Sequence, residues 1–108
     1  MFSITMGKGF TMTFTNGVVA SVQFGPSNYC DNRDMNALYV PASASKGTWN
    51  SNTAEVAAWI SEGADFMRKD KWVTKALYPE KEMTEDVIGW TNTTEVLDFL
   101  NRCANYKP

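Results

Sequence analysis

The sequence predicts an α+β domain: a small antiparallel β-sheet, made of an N-terminal hairpin plus a meander, with one C-terminal α-helix packed on a face. Three observations predict it. Two runs of period-two alternation flank Asn16-Gly17, a third short run covers residues 53–60, and a capped apolar stripe at helical spacing starts at Asn92. The 108 residues fit a single domain, 1–108. A chain of this size buries about two-thirds of its unfolded surface, enough for one modest core.

The hairpin is the clearest local structure. Phe10, Met12 and Phe14 alternate with Thr11, Thr13 and Thr15 before the turn; Val18, Ala20, Val22 and Phe24 alternate with Val19, Ser21 and Gln23 after it. A two-residue Asn-Gly turn would set Phe14 opposite Val19 and point the two apolar sets in opposite directions. A three-residue loop, with Gly17 left-handed in a bulge, sets Phe14 opposite Val18, Met12 opposite Ala20 and Phe10 opposite Val22. All then share one face, so the bulged loop is expected.

The third strand, 53–60, offers Val56 and Trp59 as core candidates, though alanines blur its alternation. Ser61, Glu62 and Gly63 signal a turn, with a further strand starting near Asp65. Residues 71–78 are another strand candidate, ended by Pro79. A last short strand is expected over 86–90. In the helix, Asn92 suits the N-cap, with Glu95 three residues on completing a capping box. Val96, Leu97, Phe99, Leu100 and Cys103 form its apolar stripe, and Arg102 and Lys107 sit where the helix dipole favours cations.

Composition narrows the chemistry. The chain is 44% apolar and 20% charged, which marks a globular protein. It has no histidine, which removes His-based acid–base catalysis, Ser–His–Asp and Cys–His triads, and His-ligated metals. No metal or other cofactor is expected. Its net charge of −2 argues against wrapping duplex DNA. The apolar runs are far shorter than the roughly 18 residues of a membrane span, so no membrane partner is expected. The N-terminus lacks the basic and apolar regions of a signal peptide. Cys30 and Cys103 make neither a disulfide framework nor a zinc site, and small buried thiols are expected. A bacterial or viral cytoplasmic protein fits these features best.

Charge is concentrated in one stretch. Residues 62–86 hold twelve charged side chains of mixed sign, a pattern of solvated loops that makes a poor nucleic-acid patch. Its acids Glu80, Glu82, Glu85 and Asp86 read as solvated rather than as a catalytic pair.

The stretch richest in binding chemistry is residues 25–33, Gly-Pro-Ser-Asn-Tyr-Cys-Asp-Asn-Arg, directly after a strand. Loop amides can bind a phosphate, and Arg33 can clamp one with two parallel bonds. Tyr29 can stack on a base, and Asn28 or Asn32 can pair with a base edge. An ordinary strand-exit loop whose asparagines bond their own backbone would look the same. Residues 43–50 are a second candidate, a polar stretch carrying Lys46 and Trp49 that could cover a ligand or be a plain surface loop. Trp59, Trp72 and Trp90 read as core or interface residues.

Asn16-Gly17, Val22-Gln23-Phe24-Gly25, Asn28-Tyr29-Cys30 and Asn32-Arg33, followed by Ala-Glu-Val-Ala-Ala-Trp at 54–59 and Gly89-Trp90 before the final helix, carry a resemblance. The series resembles a widespread group of small tailed-phage proteins. It covers most of the chain except the charged region around 65–85. The group looks like the viral sponges that sequester the cyclic oligonucleotide messengers of bacterial anti-phage immunity (CBASS). The resemblance implies a homo-oligomer (dimer or tetramer) in the host bacterial cytoplasm. It would hold a cyclic oligonucleotide, such as a cyclic dinucleotide, without cleaving it. The ligand-binding residues expected are Asn28, Tyr29, Asn32, Arg33, Lys46 and Trp49. They rest on loop chemistry, because the resemblance supplies no ligand set. Alternatives are a protein-directed inhibitor of a host defence nuclease or CRISPR effector, using the carboxylates of 80–86 as a nucleic-acid mimic, and a minor phage structural protein.

Overall fold

A computed structural model describes residues 1–5, 8–33, 50–61 and 71–108. It shows an α+β fold: a six-stranded antiparallel sheet with a C-terminal helix across one face. In chain order the elements are β1 (Phe2–Ile4), β2 (Gly9–Thr13), β3 (Val18–Gln23), β4 (Thr53–Ile60), β5 (Lys71–Trp72), α1 (Thr74–Leu77), β6 (Val87–Asn92) and α2 (Thr93–Asn105). Strands β1 to β4 lie side by side. The far edge of β4 is shared, β5 pairing with its C-terminal end and β6 with its N-terminal half. Among the described residues no helix is long and apolar enough to cross a membrane.

The hairpin takes the expected bulged register. Phe10 pairs with Val22 and Met12 with Ala20, Phe14 N–H donates to Val18 O, and Gly17 is left-handed at φ 88°. Asn16 does more than turn the chain. Its Nδ2 donates to Cys103 O (2.8 Å) and Tyr106 O (2.9 Å), while its Oδ1 accepts from Val18 N–H. The turn thus closes the carbonyl end of α2, whose last C=O groups have no partner within the helix.

Helix α2 starts at the Asn92–Glu95 capping box, both halves of which form. Phe99 and Cys103 are buried against Val18, Ala20, Val22, Val56 and Ala58, with Val96 and Leu100 alongside. Leu97 departs from the expected stripe and is 60% exposed. At 100° per residue it points off the face defined by 96, 99, 100 and 103. Both cysteines are buried and unpaired, and burial pushes the Cys103 thiol up to about 12.

The second face of the sheet is also covered, with Val19, Ala57 and Trp59 buried there beside Val87. This explains the blurred alternation of β4: Val56 faces the helix while Trp59 faces away, and both are core residues. The expected strand over 71–78 stops after Trp72. Thr74 is the reason. Its Oγ1 accepts from Ala58 N–H (2.9 Å) and donates to Ala58 O (3.2 Å), so a side chain takes the ladder position and the backbone turns into α1. The last strand runs later than 86–90, from Val87 directly into the helix N-cap. The turn at 61–63, beyond Ser61, and the strand from Asp65 lie outside the described residues.

Candidate functional site

Residues 25–33 leave β3 and cross the end of the sheet where β4 begins. Polar side chains shape this loop. Asn28 Oδ1 accepts from Gly25 N–H (2.9 Å), and Asn28 N–H donates to Gly25 O. Asn32 is buried, and its Nδ2 donates to Phe24 O (2.7 Å) and Asn50 O (3.2 Å). Strand β4 supplies two more anchors: Glu55 Oε2 accepts from Tyr29 N–H, and Thr53 Oγ1 accepts from Asp31 N–H while donating to Asp31 Oδ1. The amides of Gly25, Asn28, Tyr29, Cys30, Asp31 and Arg33 are therefore all spent inside the protein. They are not an open nest for a phosphate, so anion binding in this loop falls to the Arg33 side chain.

The same loop forces a distortion in β6. The β4–β6 register shifts between Ala54 and Val56, leaving Gly89 and Trp90 opposite Glu55. Trp90 N–H bonds Tyr29 O at 2.8 Å instead of joining the ladder. Gly89 is required because a Cβ there would sit 2.7 Å from Tyr29 Cβ. Trp90 then adopts φ 48°, the left-handed region that a bulky residue rarely occupies. Such bulges re-aim a side chain, and here the indole turns outward.

The product is a surface stack of three groups. Trp90 is 54% exposed and Tyr29 39%. Their rings lie 5.8 Å apart at 39°, and the Arg33 guanidinium stands 4.3 Å from the Tyr29 centroid. Arg33 Nη1 is steadied by Ser27 O at 3.4 Å. Two adjacent aromatic faces and a cation can stack a base and neutralise a phosphate next to it. At the same end of the sheet, on the helix side, a cavity of about 580 Å³ is lined by Phe10, Phe24, Thr53, Ala54, Thr93 and Val96, among others. That volume lies within the range of small-molecule pockets, about 300–1,000 Å³.

Of the residues expected from the sequence, Tyr29 and Arg33 meet in the stack. Asn28 and Asn32 shape the loop with the polar atoms that a base edge would need. Lys46 and Trp49 lie outside the described residues. Sequence reasoning missed Trp90, which reads as a strand residue and is in fact the more exposed of the stack's two rings. The signal was its preceding Gly89, a small residue inside a strand, which marks a bulge or a close backbone approach. No protein-family model, curated protein or solved structure matches the chain.

Proposed function

We propose that this protein binds and sequesters a cyclic oligonucleotide, such as a cyclic dinucleotide, without cleaving it. In that role it would be a phage immune-evasion protein acting in the host bacterial cytoplasm. The observation that carries the reading is the Arg33–Tyr29–Trp90 stack: a left-handed Trp90 held outward on an anchored loop, beside a second ring and a guanidinium. Residues kept strained at the surface cluster at ligand sites. Sequestration needs affinity alone, and stacking with one charge pair supplies it.

A homo-oligomer accompanies this reading. Met1 exchanges both of its ladder bonds with Thr13, so the backbone groups of Phe2 and Ile4 face away from β2. The side chains of Phe2 and Ile4 are 75% and 84% exposed. A second copy pairing antiparallel about Ser3 would set each Phe2 opposite the other copy's Ile4, a self-complementary two-fold contact. The mimicry alternative has less support. Arg102 pairs with Glu80, and Lys75 stands 4.0 Å from Asp86, so part of that acidic cluster is already compensated.

The test is calorimetry against a panel of cyclic di- and trinucleotides, with mass spectrometry of the ligand recovered after denaturation. One panel member is expected to bind and to return intact. Tyr29→Ala or Trp90→Ala should weaken it 5- to 150-fold, the equivalent of about 1–3 kcal/mol per stacked base. A panel with no binder refutes the reading, and degraded ligand makes the protein an enzyme.

A further inference from the structure

The sheet face turned away from α2 holds a hollow that follows from the strand register. Thr11 pairs with Ser21, and Ser21 with Ala57, so three small side chains lie in a row across β2, β3 and β4. Larger pairs flank the row: Gln23 with Glu55 on one side and Val19 with Trp59 on the other. Trp72 meets Trp59 edge to face, with ring centroids 5.7 Å apart at 68°. The resulting cavity is about 270 Å³, bounded also by Thr5, Asn28 and Val87. It falls just under the range of drug-sized pockets, so its occupant is smaller.

Its walls are polar and their bonding is incomplete. Thr11 is 1% exposed, and its Oγ1 meets no hydrogen-bond partner among the described residues. Buried hydroxyls in folded proteins are nearly always bonded, so this one calls for a partner. Gln23 is fully engaged, accepting from Thr5 Oγ1 (2.7 Å) and donating to Ser21 Oγ (3.0 Å) and Phe10 O. Ser21 Oγ therefore acts as acceptor to Gln23 and keeps its own proton to donate. Glu55 spends one oxygen on Tyr29 N–H. Among the described lining residues Glu55 is charged and no cation faces it, so a phosphate or carboxylate group would be repelled.

We infer that this hollow is a second binding site, which takes the vicinal hydroxyls of a pentose-sized sugar. Hydroxyls of the sugar donate to Glu55 and bond Thr11 Oγ1 and Ser21 Oγ, while its C–H face lies against the Trp59–Trp72 corner. Two sources supply this chemistry, a free sugar and the ribose of a nucleoside whose 2′ and 3′ hydroxyls are both free. The second is within reach because Glu55 belongs both to this cavity and to the anchor of Tyr29.

The test is saturation-transfer difference NMR of the full chain with D-ribose, with 2-deoxy-D-ribose and with adenosine, whose 2′ and 3′ hydroxyls are both free, each repeated on Thr11→Val and Trp72→Ala. Thr11→Val keeps the side-chain shape and removes only the hydroxyl, and circular dichroism checks its fold; Trp72→Ala serves if it fails to fold. Transfer to ribose protons is expected in the unmodified protein, with at least a threefold loss in either variant and a weaker signal from the deoxy sugar. Transfer to free ribose assigns a free-sugar site, and transfer only to the ribose protons of adenosine assigns a nucleoside's sugar. Ribose binding upholds this site whatever the cyclic-nucleotide panel returns, so the two readings fail separately. Absence of transfer to ribose in either form, or unchanged transfer in a folded variant, overturns the inference.

Discussion

Trp90 offers the sharpest test of how the site is built. Its φ of 48° places a β-carbon against the following carbonyl, at a cost of about 1–2 kcal/mol that glycine escapes. Glycine brings its own cost, about 0.5–1 kcal/mol of extra chain entropy relative to alanine. Trp90→Ala and Trp90→Gly both lose the indole and its contact with Tyr29, so their difference isolates the backbone. At the middle of these ranges the balance favours Trp90→Gly by about 0.75 kcal/mol, the reverse of the usual order in a strand. With a urea slope of about 2 kcal/mol/M, the Trp90→Gly midpoint should lie about 0.4 M above that of Trp90→Ala. Ligand affinity should fall equally in both, because both lack the ring. If Trp90→Ala proves the more stable by the ordinary margin, Trp90 is not held left-handed and the account of the bulge is wrong.

Other expectations follow from the same packing. Asn16→Ala removes the Nδ2 donations to Cys103 O, Ala104 O and Tyr106 O at the end of α2 and should lower stability by about 2 kcal/mol. Asn16→Asp should be worse at pH 7, since a carboxylate would face two carbonyls at the negative helix end, and should recover towards Asn16→Ala below about pH 4 in urea titrations. The Cys103 thiol is raised from its ordinary 9.0 to about 12 by burial, and the Tyr78 hydroxyl from 10.0 to about 12 by burial and by Asp98. Both stay protonated when folded but ionise when unfolded, so their stabilisation is complete below pH 9 and is lost as pH climbs towards 12. Each contributes a slope of about 1.4 kcal/mol per pH unit once its unfolded form has titrated. Cys103→Ala should flatten the fall between pH 9 and 10, and an unchanged slope would contradict the thiol's assignment. Asn32→Ala frees Phe24 O and Asn50 O, and should cost about 1–2 kcal/mol in thermal unfolding.

Several of these features can be read from neighbouring residues alone. The bulged hairpin is legible because a one-residue slip would turn Phe10, Met12 and Phe14 away from Val18, Ala20 and Val22. The helix start is legible because Asn92 and Glu95 satisfy each other within one turn. Thr53–Ile60 is legible as a strand, although which of its residues face the helix is not, since both faces are buried and alanines suit either.

Long-range contacts settle what local pattern leaves open. Residues 71–78 carry a strand's composition, yet Thr74 reaches Ala58, sixteen residues earlier, and ends the ladder. Asn32 has the chemistry to read a base edge, yet a carbonyl eighteen residues on takes its donor. Trp90 sits in a strand by pattern, and only the arrival of Tyr29 against Gly89 throws it outward. The sequence by itself determined the hairpin and its register, the strand Thr53–Ile60, the C-terminal helix with its cap and the absence of histidine chemistry, because each depends on residue type and near spacing. Only the tertiary structure decided that Tyr29, Arg33 and Trp90 share one surface and that Thr11 is buried without a partner. The residues involved are far apart in the chain, and their backbone geometry answers to neighbours that no local window contains.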